Sequence, residues 1–223
     1  MKIQISDNLI KHYLRNVYFI NGYSCAGKST MVKLLAERYG MTACGENYHD
    51  AFPREKLSRW KQPGLCYFDT MSGWEEWLSM TPEEHWNWTE QVSHECVEVE
   101  ILELLRLSAG GERIIADTNI PPDILREISD YGHVAILLCD PPDVCATLFF
   151  DRDDPEKKFM MEQIRQCKDP EAALKNFTAW MRFHPPQETD WQHTGFFTYT
   201  RTDFENDTRE EVLQILAKHF HLS

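Results

Sequence analysis

No stretch of this chain approaches the roughly 20 consecutive apolar residues of a membrane span. Its first residues, Met1-Lys2-Ile3-Gln4-Ile5-Ser6-Asp7, lack the apolar core of a secretory signal, so a cytoplasmic protein with no membrane partner is expected. Positive charge is scarce: 23 Lys and Arg stand against 36 Asp and Glu, for a formal net charge of −13. That balance disfavours a nucleic-acid partner or an anionic-membrane binder, since both need a basic face. The seven cysteines are an odd number with no C-x-x-C pair, which argues against a disulfide scaffold or zinc ribbon and for reduced thiols. No internal repeat or linker-like run interrupts the sequence. With 42% hydrophobic residues over 223 positions, the chain has enough apolar material for one well-buried domain.

What is present centres on Gly22-Tyr23-Ser24-Cys25-Ala26-Gly27-Lys28-Ser29, which fits G-x-x-x-x-G-K-[S/T]. Gly22 and Gly27 let the backbone turn tightly with no Cβ in the way. The loop amides then form an anion nest, and the following helix adds its positive end. Lys28 offers a point charge to β- and γ-phosphates, and the Ser29 hydroxyl is placed to ligate Mg²⁺. Context supports the motif. Val17-Tyr18-Phe19-Ile20 is a β-prone run before the loop, and residues 30–39 read as a helix stopped by Gly40. The nucleotide-binding set is therefore Gly22, Tyr23, Ser24, Cys25, Ala26, Gly27, Lys28, Ser29 and Thr30. Cys25 is read first as a small residue that fits the loop, with oxidation sensitivity as the alternative.

Further along, Met41-Thr42-Ala43-Cys44 reads as a short strand running into the polar cluster Gly45-Glu46-Asn47-Tyr48-His49-Asp50. Open α/β sheets place chemistry at such strand ends, which makes Asp50 and His49 candidates and Glu46 a weaker one. Residues 51–80 mix Arg54, Lys56, Arg59 and Lys61 with Trp60, Trp74 and Trp77. This segment reads either as an acceptor-binding surface or as a flap whose tryptophans are core. Thr81-Pro82-Glu83-Glu84 is a helix start with a capping box, and the helix is expected to reach about Leu107. Its apolar stripe, Trp88, Val92, Cys96, Val99, Leu102 and Leu105, reads as core. Strands are expected at 113–117 and 133–140, each ending in an acid, and a last one at 195–200. Helices are expected near 156–167 and 171–183, and Thr208-Arg209-Glu210-Glu211 forms a second capping box before a final helix.

The loop, Asp50 after the second strand, Asp117 closing an apolar strand and Arg152 after a helix together resemble a P-loop small-molecule kinase. The group in question includes shikimate, nucleoside and nucleoside-monophosphate kinases. The resemblance implies one α/β P-loop NTPase domain over residues 1–223, a doubly wound five-stranded parallel sheet of order 2-3-1-4-5. It also implies a helical acceptor-side insertion over about 51–107 and a lid over about 151–168. By the same resemblance Lys28, Asp50 and Arg152 are catalytic: Asp50 orients or deprotonates the acceptor hydroxyl, and Arg152 neutralises charge on the transferring phosphoryl group. Ser29 and Asp117 hold Mg²⁺, with Asp140 the competing acid. Lys157 and Lys158 are weaker alternatives to Arg152, whose neighbours Asp151, Asp153 and Asp154 offset its charge. A base-binding loop falls near Arg201-Thr202-Asp203.

ATP and Mg²⁺ are thus the expected cofactors and a small hydroxyl compound the expected partner, making the chain a phosphotransferase. The competing expectation is a nucleotide-sensing module that phosphorylates nothing. A GTPase is disfavoured because no N-K-x-D guanine motif occurs anywhere in the chain.

Overall fold

Continuous apolar runs cannot sit at a solvent-facing edge without exposing most of their surface, and the runs at 114–116 and 134–139 become the most enclosed strands. The computed structural model describes residues 5–150, 155–184 and 189–223. The strands are β1 (Val17–Gly22), β2 (Thr42–Cys44), β3 (Ile114–Asp117), β4 (Val134–Cys139) and β5 (Phe197–Arg201). Every residue of β3 and β4 is buried, as parallel strands covered on both faces require. The strands pair in the order β2-β3-β1-β4-β5, and every pairing is parallel. This is the order the resemblance implied.

Helices among the described residues are α1 (Asp7–Tyr13), α2 (Lys28–Tyr39), α3 (Trp74–Leu78), α4 (Pro82–Ser108), α5 (Pro122–Ile128), α6 (Cys145–Leu148), α7 (Pro155–Gln166), α8 (Pro170–Met181) and α9 (Arg209–His219). None is long and apolar enough to cross a membrane. The capping box at Thr81 closes as expected: the Glu84 amide donates to Thr81 Oγ1 at 3.2 Å and the Thr81 amide donates to Glu84 Oε2 at 2.8 Å. The one at Thr208 does not, because Thr208 sits at φ −96°, ψ 7° rather than in the extended conformation a capping side chain needs.

The chain divides into two compact units. One comprises residues 1–53, 96–139 and 190–223, and the other residues 54–95 and 140–189. The first unit contains the sheet. Val17 and Phe19 of β1 join Ile114, Ala116, Val134, Ile136 and Leu138 in a core completed by Leu104 of α4 and by Leu125 and Ile128 of α5. The alternate residues of β1 face the other way. Tyr18 packs edge-on against Phe220, just past α9, with ring centroids 5.3 Å apart. On that side α2 lies on β1 and β3 and also packs on α9, where Arg38 and Glu210 form a two-pronged pair at 2.7 and 2.8 Å. Strand order reverses about β1, so the carboxyl ends of β1 and β3 flank the crevice where such sheets bind ligands.

The second unit is helical and aromatic. Trp77, Leu78, Ile164, Ala173 and Phe177 form its buried centre, packed by Trp74, Trp88, Phe149, Phe150 and Trp180. Of the tryptophans in the 51–80 segment, Trp77 is therefore core, whereas Trp60 is 96% exposed. Arg54 is held by Asp69 at 3.2 Å and by the Leu65 carbonyl at 3.0 Å.

His85 lies fully buried inside this aromatic box, 4.5 Å from the Trp77 ring and stacked 4.9 Å from Trp180. Among the described residues neither ring nitrogen finds a hydrogen-bond partner. Burial pushes its pKa down to about 4, only slightly opposed by Glu84. As pH falls below the ordinary histidine value of about 6.5 the unfolded chain takes up a proton that the folded ring refuses. Stability is therefore full above that value and lost progressively down to about pH 4, by roughly 3 kcal/mol from this ring. His85→Phe should remove that component. Six of the seven tryptophans lie in this unit, so urea unfolding followed by tryptophan fluorescence reports on it. Between pH 7 and 4.5 the midpoint should drop less in the variant than in the wild type. Equal drops would mean that His85 is not the group responsible.

Candidate active site

The loop between β1 and α2 is built on a backbone contact that only glycine permits. Gly22 has φ +117°, and a Cβ placed on it would lie 2.1 Å from the Leu137 carbonyl oxygen of β4. That oxygen accepts the Tyr23 amide at 2.9 Å. Just before the loop, the buried Asn21 accepts the Gly22 amide at 2.7 Å and donates to the Ile120 carbonyl at 2.8 Å, tying the start of the loop to the segment after β3. Cys25 (φ 64°) and Gly27 (φ 94°) are both left-handed. α2 starts on Gly27 with no side-chain cap, so no side chain satisfies the first-turn amides through the N-cap, and the end keeps its positive character.

Lys28 and Ser29, the first residues of α2, meet the end of β3. Ser29 Oγ donates to Asp117 Oδ2 at 2.7 Å, and Lys28 Nζ stands 3.9 Å from Asp117 Oδ1 while donating to the Tyr23 carbonyl at 3.2 Å. Asp117 is only 2% exposed. Burial raises its pKa above the usual carboxylate range; Lys28 and the Ser29 hydrogen bond oppose that rise, and the charges of Glu46 and Glu100 add to it. The result is a buried acid among acids with one lysine nearby. Asp140, the competing acid, is exposed.

The other expected residues fall as follows. Asp50 sits on the single 3₁₀ turn Tyr48–Ala51 and is exposed. Of the acids after β2, Glu46 bears on Asp117 through its charge. Arg152 lies outside the described residues. Lys157, on α7, packs over the Phe149 ring at 4.5 Å. Arg201 lies over the Phe204 ring at 4.6 Å and donates to the Asp203 carbonyl at 2.9 Å. It also lines a cavity of about 350 Å³ that runs from Ala26, Gly27 and Thr30 to Asn206 and Arg209.

The sequence reading passed over Glu100. It is fully buried on α4 and accepts from Tyr48 Oη at 2.8 Å, Thr118 Oγ1 at 2.7 Å, and the Asn119 amide and side chain at 3.2 and 3.1 Å. Burial works to raise its pKa, but these donors and His49 outweigh it and hold the carboxyl below its ordinary value. The stripe drawn along α4 holds at Cys96 and Val99, which are buried, but departs beyond them. Leu102 is 52% exposed, and the buried line runs Cys96, Glu100, Leu104, Ser108. A pattern traced through apolar residues alone steps around a buried carboxylate; the one available signal was its i, i+4 spacing from Cys96 and Leu104.

Comparison of the chain with protein-family models, with curated proteins and with solved structures finds no match.

Gly22 and Gly27 separate two costs. Both have left-handed φ, but a Cβ at Gly27 meets nothing within 4 Å, whereas at Gly22 it strikes backbone. Gly27→Ala should cost about 1 kcal/mol and Gly22→Ala at least about 2–3 kcal/mol. Urea midpoints measure both, and equal losses would mean that the Leu137 contact is not what restricts position 22.

Proposed function

We propose that this chain is an ATP- and Mg²⁺-dependent phosphotransferase acting on a hydroxyl of a small molecule. The observation that carries the reading is the meeting of Lys28, Ser29 and the buried Asp117 at the crevice where strand order reverses. A glycine-framed loop, an uncapped helix start and a lysine supply positive potential for phosphates, and a hydroxyl beside a carboxylate is an oxygen set suited to Mg²⁺. The fit is also electrostatic: Asp117 feels Glu46 and Glu100, so a divalent cation at Ser29 and Asp117 would relieve a local excess of negative charge. Bound there, the ion would neutralise phosphate charge.

In this reading the loop amides and Lys28 bind and orient the phosphates, because phosphoryl transfer depends on positioning and charge neutralisation. The cavity lined by Arg201 and Asn206 adjoins Ala26 and Gly27, which suits it to the nucleoside end of ATP. Asp50 accepts the acceptor's hydroxyl proton and aims its oxygen; charge neutralisation by Arg152 is what the resemblance implies.

Lys28→Ala should abolish ADP release in an acceptor-coupled assay while leaving the melting temperature near wild type. In the same assay Asp117→Asn should raise the Mg²⁺ concentration needed for half-maximal rate, since a neutral amide holds the ion more weakly. Wild-type turnover in a folded Lys28→Ala protein, or an unchanged Mg²⁺ dependence in Asp117→Asn, would remove the assignment.

Asp50→Asn should lower kcat with the best acceptor by about 10²–10⁴-fold and leave the Kd for ATP nearly unchanged, because only the proton acceptor is lost. An unaltered kcat, with Glu46→Gln giving the loss instead, would move the base to Glu46.

A further inference from the structure

Beside the Ser29–Asp117 pair lies a second group of side chains that the phosphotransferase reading does not use. Cys96 and Glu100 stand one turn apart on α4 and so share a face. The turn after β2 brings His49 to the same place. One ligand atom from each of His49, Cys96 and Glu100 lies within 4.8 Å of the others. Cys96 and Glu100 are fully buried, and the His49 side chain is 11% exposed.

The hydrogen bonds around these residues are unevenly shared. Glu100 Oε2 accepts three donors, from Tyr48 Oη, Thr118 Oγ1 and the Asn119 amide, and Oε1 accepts from Asn119 Nδ2. Oε1 faces His49 Nδ1 at 3.4 Å, and that nitrogen is buried without a hydrogen bond of acceptable alignment. One carboxylate oxygen is thus locked in place by its donors, and the other points at an imidazole nitrogen. Outer donors that fix a ligating carboxylate in this way are a usual part of metal sites.

We propose that His49 Nδ1, Cys96 Sγ and Glu100 Oε1 form a three-ligand site for a borderline-soft divalent transition metal, with Zn²⁺ the representative ion. An imidazole, a thiolate and a carboxylate are the ligand types Zn²⁺ takes, at about 2.0–2.3 Å, which sets neighbouring ligand atoms about 3.3–3.8 Å apart in a tetrahedron. Side-chain rotation on two elements brings the group from its present spread to that spacing. Three protein ligands leave a fourth position for water, and binding displaces the Cys96 thiol proton to solvent. Thiolate and imidazole select against Mg²⁺ here, whereas the all-oxygen pair Ser29 and Asp117 suits it. The two positions are joined covalently, because Asp117, Thr118 and Asn119 are consecutive and contact Ser29 and Glu100 respectively.

The site is testable without ATP or an acceptor. Chelator-treated, desalted protein is titrated with Co²⁺. Expected are visible bands of tetrahedral cobalt and a near-ultraviolet thiolate-to-cobalt band that saturate at one equivalent and disappear on addition of one equivalent of Zn²⁺. A thousandfold excess of Mg²⁺ should leave them in place. Cys96→Ser should abolish the thiolate band and His49→Ala should weaken Co²⁺ binding at least tenfold, consistent with losing one of three ligands. Circular dichroism checks that each variant is folded, and His49→Ala carries the test if Cys96→Ser is not. Absence of a thiolate band in the wild-type protein overturns the proposal. So does a band that persists in folded Cys96→Ser, since Cys44 and Cys139 are also reduced, or equal Co²⁺ affinity in wild type and His49→Ala.

Discussion

Everything at the crevice depends on how closely the backbone at Gly22 passes the Leu137 carbonyl. With a Cβ the two would overlap at 2.1 Å; without it the chain leaves β1, donates from Tyr23 to that same oxygen, and doubles back in time for Lys28 and Ser29 to start α2. The rest follows from geometry. Thr42 to Cys44 and Ile114 to Ala116 pair in register, and Ile20 lies opposite Asp117, so the start of α2 has the end of β3 as its neighbour. The Ser29–Asp117 hydrogen bond is the product of that arrangement. Side-chain amide bonds from Asn21 to Ile120 and to Gly22 hold the two strand exits together. Buried amide bonds of this kind are expensive to leave unmade, which gives the exits a single arrangement.

Burial also shapes the electrostatics. The charges of Glu46 and Glu100 both bear on Asp117, yet the environments of Asp117 and Glu100 separate those two acids. Asp117 has one hydroxyl and a lysine at 3.9 Å, too little to offset burial, and its pKa rises. Glu100 has four hydrogen bonds and His49 and goes the other way. An acid left short of donors is one that a cation or proton can still satisfy, while an acid fully supplied on one oxygen is a fixed point around which its neighbours are arranged. The phosphotransferase reading rests on the first kind of acid and the metal proposal on the second. The helical unit follows a different pattern: Trp74, Trp77, Trp88, Trp180 and His85 pack as rings, and among the described residues the buried nitrogens of Trp77, Trp88 and His85 find no hydrogen-bond partner. Shape and apolar area hold that unit together rather than polar pairing.

Legibility from sequence followed the range of the forces involved. β3 and β4 are runs of apolar residues, α2 is bracketed by glycines, and the Thr81 capping box joins residues three apart; each is a local pattern and each appears where it was read. The Thr208 box was just as visible and does not close, because the backbone entering α9 is not extended. Among the acids, Asp117 was legible as the polar end of an apolar run, and it does close β3, beside Ser29. Asp50 ranks above Glu46 by its place after the second strand; both are exposed, and the charge of Glu46 is felt at Asp117. Glu100 was passed over, because a charged residue in a long helix reads as solvent-facing.

By itself, then, the sequence determined the alternation of strands and helices, the glycine loop and the acid that closes β3, because propensity, capping and periodicity act over a few residues and need no distant partner. Only the tertiary structure decided which charges lie inside. Glu100 can be buried as a carboxylate because Tyr48, Thr118 and Asn119, from segments 52, 18 and 19 positions away, converge on it with donors. Likewise the division into two units, with residues 54–95 and 140–189 gathered around one aromatic core, joins stretches that nothing local relates. The desolvation of a charge and the closing of a core are decided by residues far apart in the chain, and they are settled only when the folded chain brings those residues together.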